Sequence, residues 1–147
     1  MNEVTIALDA MGGDNAPGVV LEGCAAALKD HPNLHNILCG TAEVVEPFCA
    51  EHDRCEASVC TEVIAMDEHP VQAVRTKKDS SMVRCAQLVK EGKAQGFFSA
   101  GSTGATMAAG TLIMGRIKGV QRPGLATILH CPTKPVVMCD VGANADC

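Results

Sequence analysis

The sequence predicts an α/β protein with three α/β/α layers and a mainly parallel sheet. Three observations carry that expectation. Short apolar, β-branched runs alternate over most of the length with segments whose apolar residues recur at helical spacing. Glycine-bearing loops follow three of those runs, as loops on one rim of a parallel sheet do. The 147 residues suffice for one domain with a real core, and 47% hydrophobic with 20% charged residues is a soluble globular composition.

Residues 4–8 form a short β-branched run that ends in a glycine turn and reads as a buried strand. Pro17 suits a first helical turn. Val20, Leu21, Cys24 and Leu28 then recur at helical spacing until Asp30, His31, Pro32 and Asn33 end the helix. Residues 37–39 read as a second strand, 42–51 as a second helix and 57–64 as a third strand. Asp79 or Ser80 can cap the next helix, whose inner stripe is Met82, Cys85, Ala86 and Val89 and whose end lies near Gly92. Residues 96–99 form a strand and 103–117 a helix rich in small residues. Two last strands, 125–129 and 136–141, are joined by a link too short for a crossover, which predicts an antiparallel hairpin. No closing helix follows. The expectation is one α/β domain, 1–147, forming the N-terminal part of something longer.

Composition excludes several function classes. Aromatics are 2% with no Trp or Tyr, which argues against stacking platforms for single-stranded nucleic acid. A net charge of -5 argues against duplex binding. The segment MNEVTIALDAMGGD has no basic region and meets Asp9 after a short apolar run, so it is no secretory signal. Nine cysteines without a CxxC pair then read as free buried thiols. A zinc site would need His52, Cys55 and Cys60 to converge from spacings that are not standard, so no metal is expected. Residues 94–115 carry no charge, but their centre is Ser, Gly and Thr rather than the continuous apolar run of a membrane span.

The three loops hold the chemistry. They are DAMGGD, with Asp9, Gly12, Gly13 and Asp14; SAGSTGA, with Ser99, Gly101, Ser102, Thr103 and Gly104; and DVGANAD, with Asp140 and Asn144. Asp14, Ser102 and Thr103 serve either as helix caps or as ligand groups. The glycine–hydroxyl cluster from Ser99 to Gly104 either turns backbone N–H groups onto an anion or lets a helix pack close to the sheet. Asp9, at a strand end, needs donors, a cation or a proton to satisfy its carboxylate. Known phosphate and nucleophile motifs fail: GGDNAPG is not GxGxxG, no P-loop occurs, and in AGSTG the serine directly follows the glycine, unlike GxSxG.

Taken together, LDAMGGDNAP, KKDSSMV, GFFSAGSTGAT, RPGLATILHCPTKP and VVMCDVGAN resemble the bacterial phosphate acyltransferase family of phospholipid synthesis. The resemblance runs through essentially the whole chain and covers the N-terminal part of a normal family member. It implies a fold similar to the isocitrate-dehydrogenase and phosphotransacetylase group. It implies transfer of a fatty acyl group from acyl carrier protein to inorganic phosphate, giving an acyl phosphate that a following enzyme uses to acylate glycerol 3-phosphate. It implies no cofactor, a cytoplasmic homodimer when full length, and peripheral membrane association through parts outside these residues.

On that footing Gly12, Gly13, Ser99, Gly101, Ser102, Thr103, Gly104 and Asp140 are expected to bind phosphate or substrate. Asp9 and Asp14 orient donors or accept a proton, and Asn144 hydrogen-bonds the thioester carbonyl. Phosphate itself attacks, so no enzyme nucleophile is required. The charge is also uneven: residues 1–74 have a net of -11, residues 75–122 a net of +7, and the remainder -1. The basic block runs through Arg75, Lys77, Lys78, Arg84, Lys90, Lys93, Arg116, Lys118 and Arg122. It is expected to dock the acidic carrier protein, with Lys90, Lys93, Arg116 and Lys118 as contacts, against the plainer reading of solvated helix faces. Two alternatives stand beside this function. A truncated fragment would keep phosphate and carrier binding without turnover. A phosphotransacetylase-like enzyme would use acyl-CoA as donor.

Overall fold

The computed structural model describes residues 3–121 and 123–139. The chain forms two compact units, Met1–Gly115 and Arg116–Cys147. In the first, β1 (Val4–Asp9), β2 (Leu34–Gly40), β3 (Cys55–Val59) and β4 (Gly96–Ser99) make one parallel sheet in the order β3-β2-β1-β4. Helices α1 (Gly18–Asp30) and α2 (Ala42–Glu51) connect β1 to β2 and β2 to β3. Helices α3 (Pro70–Thr76) and α4 (Ser81–Lys90) lie between β3 and β4, and α5 (Thr103–Ala109) follows β4.

Alternation along the strands sorts the core onto two faces. Leu8 and Leu38 face the layer of α1 and α2, where they meet Leu21, Val45 and Phe48. Ala7, Ile37 and Cys39 face α4, against Cys85 and Leu88. A third cluster joins Ile64, Val74, Met82, Val83, Ala105 and Ala109. Leu38, Val45 and Met82 are almost fully buried, each contributing roughly 1.5–3 kcal/mol. The three-layer expectation holds.

Arg54 ties the amino ends of the strands together. At φ 66° it enters β3 and donates to three carbonyls, Leu28 at 2.5 Å, Leu34 at 2.8 Å and His31 at 2.9 Å. The first belongs to the last turn of α1, whose carbonyls have no intrahelical partner.

Element bounds differ from the expectation where tertiary contacts override the local pattern. β2 begins at Leu34, three residues before the predicted strand. The third strand stops at Val59, because Glu62 forms a lone parallel bridge with Ser80 and Ile64 is buried in the cluster of α3, α4 and α5. The apolar residues at its end therefore record packing, not strand continuation. Helix α3 was unforeseen, although Pro70 stands at its first position. Ser80 does occupy the N-cap of α4, but its hydroxyl donates to the Lys77 carbonyl at 2.8 Å and makes no cap bond. Asp79 instead accepts from Thr61 and Arg84. The small-residue helix ends at Ala109, a single π-helical segment Gly110–Met114 follows, and Gly115 at φ 93° closes it.

In the second unit, β5 (Ala126–His130) and β6 (Pro135–Cys139) pair antiparallel, as the short link requires.

Candidate functional site

Strand order locates the candidate site. The chain steps outward from β1 to β2 to β3, then crosses back to lay β4 on the other side of β1. Strand order thus reverses between β1 and β4, and ligands of open α/β sheets sit beyond the carboxyl ends of strands at such a point. The loops Gly12–Asp14 and Ala100–Gly104 leave those two strand ends.

Asp9 and Ser99 are register partners at the last positions of β1 and β4. Asp9 is 2% exposed. Its Oδ2 accepts the Ser99 hydroxyl at 2.7 Å and its Oδ1 accepts the Met11 N–H at 3.2 Å. Ser99 Oγ in turn accepts the Gly101 N–H at 3.0 Å. The chain Gly101 N–H, Ser99, Asp9 therefore fixes the floor of the cleft and sets where the Gly101 backbone lies. The single hydroxyl hydrogen of Ser99 is committed to Asp9, so Ser99 acts through the backbone it holds.

Gly12 presses against this floor. A Cβ there would stand 2.6 Å from Asp9 Oδ2, 2.6 Å from Ser99 Oγ and 3.0 Å from the Gly101 nitrogen. Gly13 adopts φ 110° beside the Ala100 carbonyl. Asp14 is exposed at the end of its loop. Ser102 caps α5 by accepting the Ala105 N–H at 3.4 Å, which leaves its own hydroxyl hydrogen to donate. Thr103 opens α5 and is exposed. Gly104 has a packing role: a Cβ there would meet Pro70 Cγ at 2.8 Å, so the glycine lets α5 lie close on α3. The packing reading of the cluster thus holds at Gly104, and Gly101 brings its backbone close against Gly12 and Ser99. Asp140 and Asn144 lie outside the described residues, as does Arg122.

The basic stretch is partly neutralised by carboxylates beside it and within it. Lys77 pairs with Glu68 at 2.6 Å, Arg84 with Asp79 at 2.5 Å and Lys93 with Glu91 at 2.9 Å. Hydrogen bonds from Thr61, then Arg84, hold the Asp79 carboxyl below the usual carboxylate range. Lys90 is exposed. Arg116 and Lys118 belong to the second unit, where the Arg116 guanidinium donates to the Gln121 carbonyl. No helix among the described residues is long and apolar enough to cross a membrane.

What the sequence reading missed is the Asp9–Ser99 bond itself. The two residues stand 90 positions apart, and only the strand order brings them together.

Comparison with known proteins agrees with the motifs. Residues 4–147 match the family model described as fatty acid synthesis protein. A phosphate acyltransferase of Staphylococcus saprophyticus is 53% identical over 144 residues, covering 97% of this chain and 43% of that protein. Those of Limosilactobacillus reuteri and Clostridium botulinum are 51% and 47% identical, over 96% and 97% of this chain and 43% and 44% of theirs. The chain thus spans less than half the length of these relatives. With the match running from β1 to its last residue, the chain belongs to the fatty acid synthesis protein family, beside relatives that bear the name phosphate acyltransferase.

Proposed function

We propose that this chain supplies the phosphate half of an acyltransferase that moves a fatty acyl group from acyl carrier protein to inorganic phosphate. The observation that carries the reading is the strand reversal between β1 and β4, where glycine loops leave the strand ends that Asp9 and Ser99 bond together. Phosphate binds over Gly12, Gly13, Gly101 and the Ser102–Thr103 turn, where backbone N–H groups and hydroxyls offset its charge. One phosphate oxygen attacks the thioester carbonyl, an oxyanion forms on that carbon, and its collapse expels the carrier's thiolate and leaves the acyl phosphate. The protein contributes position and charge stabilisation, with no covalent intermediate. Asp9 fixes the Gly101 backbone through Ser99, which takes the Gly101 N–H, so the donors to phosphate are the other N–H groups and hydroxyls of the two loops. Asp14, at the cleft mouth, accepts a proton from phosphate. Asn144 and Asp140 complete the acyl side in the full-length protein, which acts as a cytoplasmic homodimer.

Phosphate titration of the full-length protein tests the cleft. Ser102→Ala and Thr103→Ala are each expected to weaken phosphate binding about tenfold, the worth of one charge-assisted hydrogen bond. Unchanged affinity in both would make the cluster a packing device alone.

The carrier is expected to dock on the basic stretch from Arg75 to Lys93, with Arg116 and Lys118. Lys90→Glu, Lys93→Glu and Lys118→Glu together should slow association about tenfold at low salt and flatten its salt dependence. If rate and salt dependence both stay as in the parent protein, docking lies elsewhere.

The chain's 43% coverage of its relatives favours a second reading, a fragment that binds phosphate and carrier without turnover. Acyl phosphate formation by the isolated chain separates the two. Comparing acyl-CoA with acyl carrier protein as donor tests the carrier assignment.

A further inference from the structure

We propose that Cys24, Cys49 and Cys55 form a peroxide-oxidisable site in which Cys24 takes the oxygen, Cys55 closes a disulfide and Cys49 exchanges with it. The site lies under α1 and α2 on the opposite face of the sheet from Asp9 and is independent of the phosphate cleft.

Three elements bring the thiols together. Cys24 is on the buried stripe of α1, Cys49 near the end of α2, and Cys55 at the first position of β3. Cys49 Sγ and Cys55 Sγ are 3.0 Å apart, a thiol–thiol hydrogen bond that a small rotation turns into bonding range. Cys55 and Cys24 lie close enough to influence one another's protonation. The buried Asn36 side chain donates to Cys24 Sγ at 3.1 Å. A buried amide donor aimed at sulfur favours a thiolate there.

The three thiols are not equivalent. The hydrogen bond from Cys55, then that from Asn36 with nearby His52, outweighs burial and lowers Cys24 to about 7. The same contact with Cys24, followed by burial, pushes Cys55 up. The Asn36 amide aimed at Cys24 marks that sulfur as the thiolate of the pair, with Cys55 as its protonated partner. Cys24, buried beneath α1, and Asn36 lie on the wall of an apolar groove of about 430 Å³ between α1 and the strands β1, β2 and β4, the route by which a small oxidant reaches the sulfur. Hydrogen peroxide is small enough to enter it.

The steps balance. The Cys24 thiolate attacks one peroxide oxygen, the O–O bond breaks, and Cys24 sulfenic acid and hydroxide form. Cys55 attacks the sulfenic sulfur, its proton leaves with the departing oxygen as water, and a Cys24–Cys55 disulfide results. The Cys49 thiol, which burial keeps protonated, gives its proton to the hydroxide released in the first step and attacks Cys55 Sγ, giving Cys49–Cys55 and returning Cys24 as thiolate. Overall two thiols are oxidised and one peroxide is reduced to two waters. Metal binding is the weaker use of the cluster, since the described residues hold no group of three such side chains set to take an ion.

Peptide mapping of the peroxide-treated protein tests this. After a few equivalents of hydrogen peroxide, remaining thiols are blocked and the protein is digested without reduction. The expected product is a disulfide joining Cys55 to Cys24 or Cys49, with two of the nine thiols lost to titration and recovered by dithiothreitol. Dimedone should label Cys24, several-fold more in Cys55→Ser, and alkylation of Cys24 should rise with a midpoint near pH 7. Three reduced thiols after treatment, or oxidation confined to the exposed Cys131 and Cys139, would overturn the proposal. So would a Cys49–Cys55 disulfide formed without any Cys24 adduct. The mapping uses the unaltered protein, so it stands even if Cys55→Ser does not fold.

Discussion

Gly12→Ala should abolish measurable phosphate binding in the full-length protein and lower its stability by about 1–3 kcal/mol, the usual cost of forcing atoms into a filled site. The new methyl would stand 2.6 Å from both Asp9 Oδ2 and Ser99 Oγ, inside any van der Waals contact. Neither neighbour can swing away cheaply. Asp9 is 2% exposed and held by Ser99 and the Met11 N–H, and Ser99 in turn holds the Gly101 N–H. The strain therefore spreads to the backbone that lines the cleft. Gly18→Ala is the matched control, because a Cβ at that position meets nothing within 4 Å; it should stay within about 0.5 kcal/mol of the parent. Thermal melts and phosphate calorimetry read both effects. A Gly12→Ala protein that melts and binds like Gly18→Ala would remove the cleft as the phosphate site.

Arg54→Ala should cost about 2–4 kcal/mol and leave phosphate affinity unchanged. One guanidinium satisfies three carbonyls that otherwise face the join of α1, β2 and β3, and hydrogen bonds from a charged donor are the strong ones. A lysine offers a point charge and cannot span the three positions. Arg54 also sits at φ 66°, where alanine is strained and glycine is not. Arg54→Gly should therefore be roughly 1 kcal/mol less damaging than Arg54→Ala, although it removes at least as many contacts. Phosphate affinity holds because Arg54 lies at the amino ends of the strands and the cleft at the carboxyl ends. Urea midpoints check the order; alanine equal to or better than glycine would refute the backbone argument.

The sheet was legible where local signals are strong. The runs 4–8 and 96–99 and the period through Val20, Cys24 and Leu28 depend on residues a few positions apart, and they appear as β1, β4 and α1. The link Cys131–Pro135 fixed the hairpin because too few residues exist to cross a sheet. What failed rests on distant partners. Ile64 looks like strand and belongs to a helix-packing cluster. Ser80 looks like a capping hydroxyl, yet the Lys77 carbonyl takes its hydrogen. At the cleft the residue types were readable and the bonding was not. Ser99 appeared as one hydroxyl in a polar turn, and its commitment to Asp9 depends on which strand lies beside β1.

The placement of β4 also sets an order in time. Asp9 and Ser99 share a bond across 90 positions, so the cleft floor cannot exist until residue 99 has been synthesised. At about 5–20 residues per second, β1, β2 and β3 are complete for seconds before their last neighbour arrives. Through that interval one side of β1 carries unpaired N–H and C=O groups beside the apolar Ala7 and Leu8, a template for any other strand. Long-range parallel pairing is slow to close even once the chain is available. A chain extended only as far as β3 lacks the Ser99 partner of Asp9, and the vacancy beside β1 is then its most exposed point to mispairing.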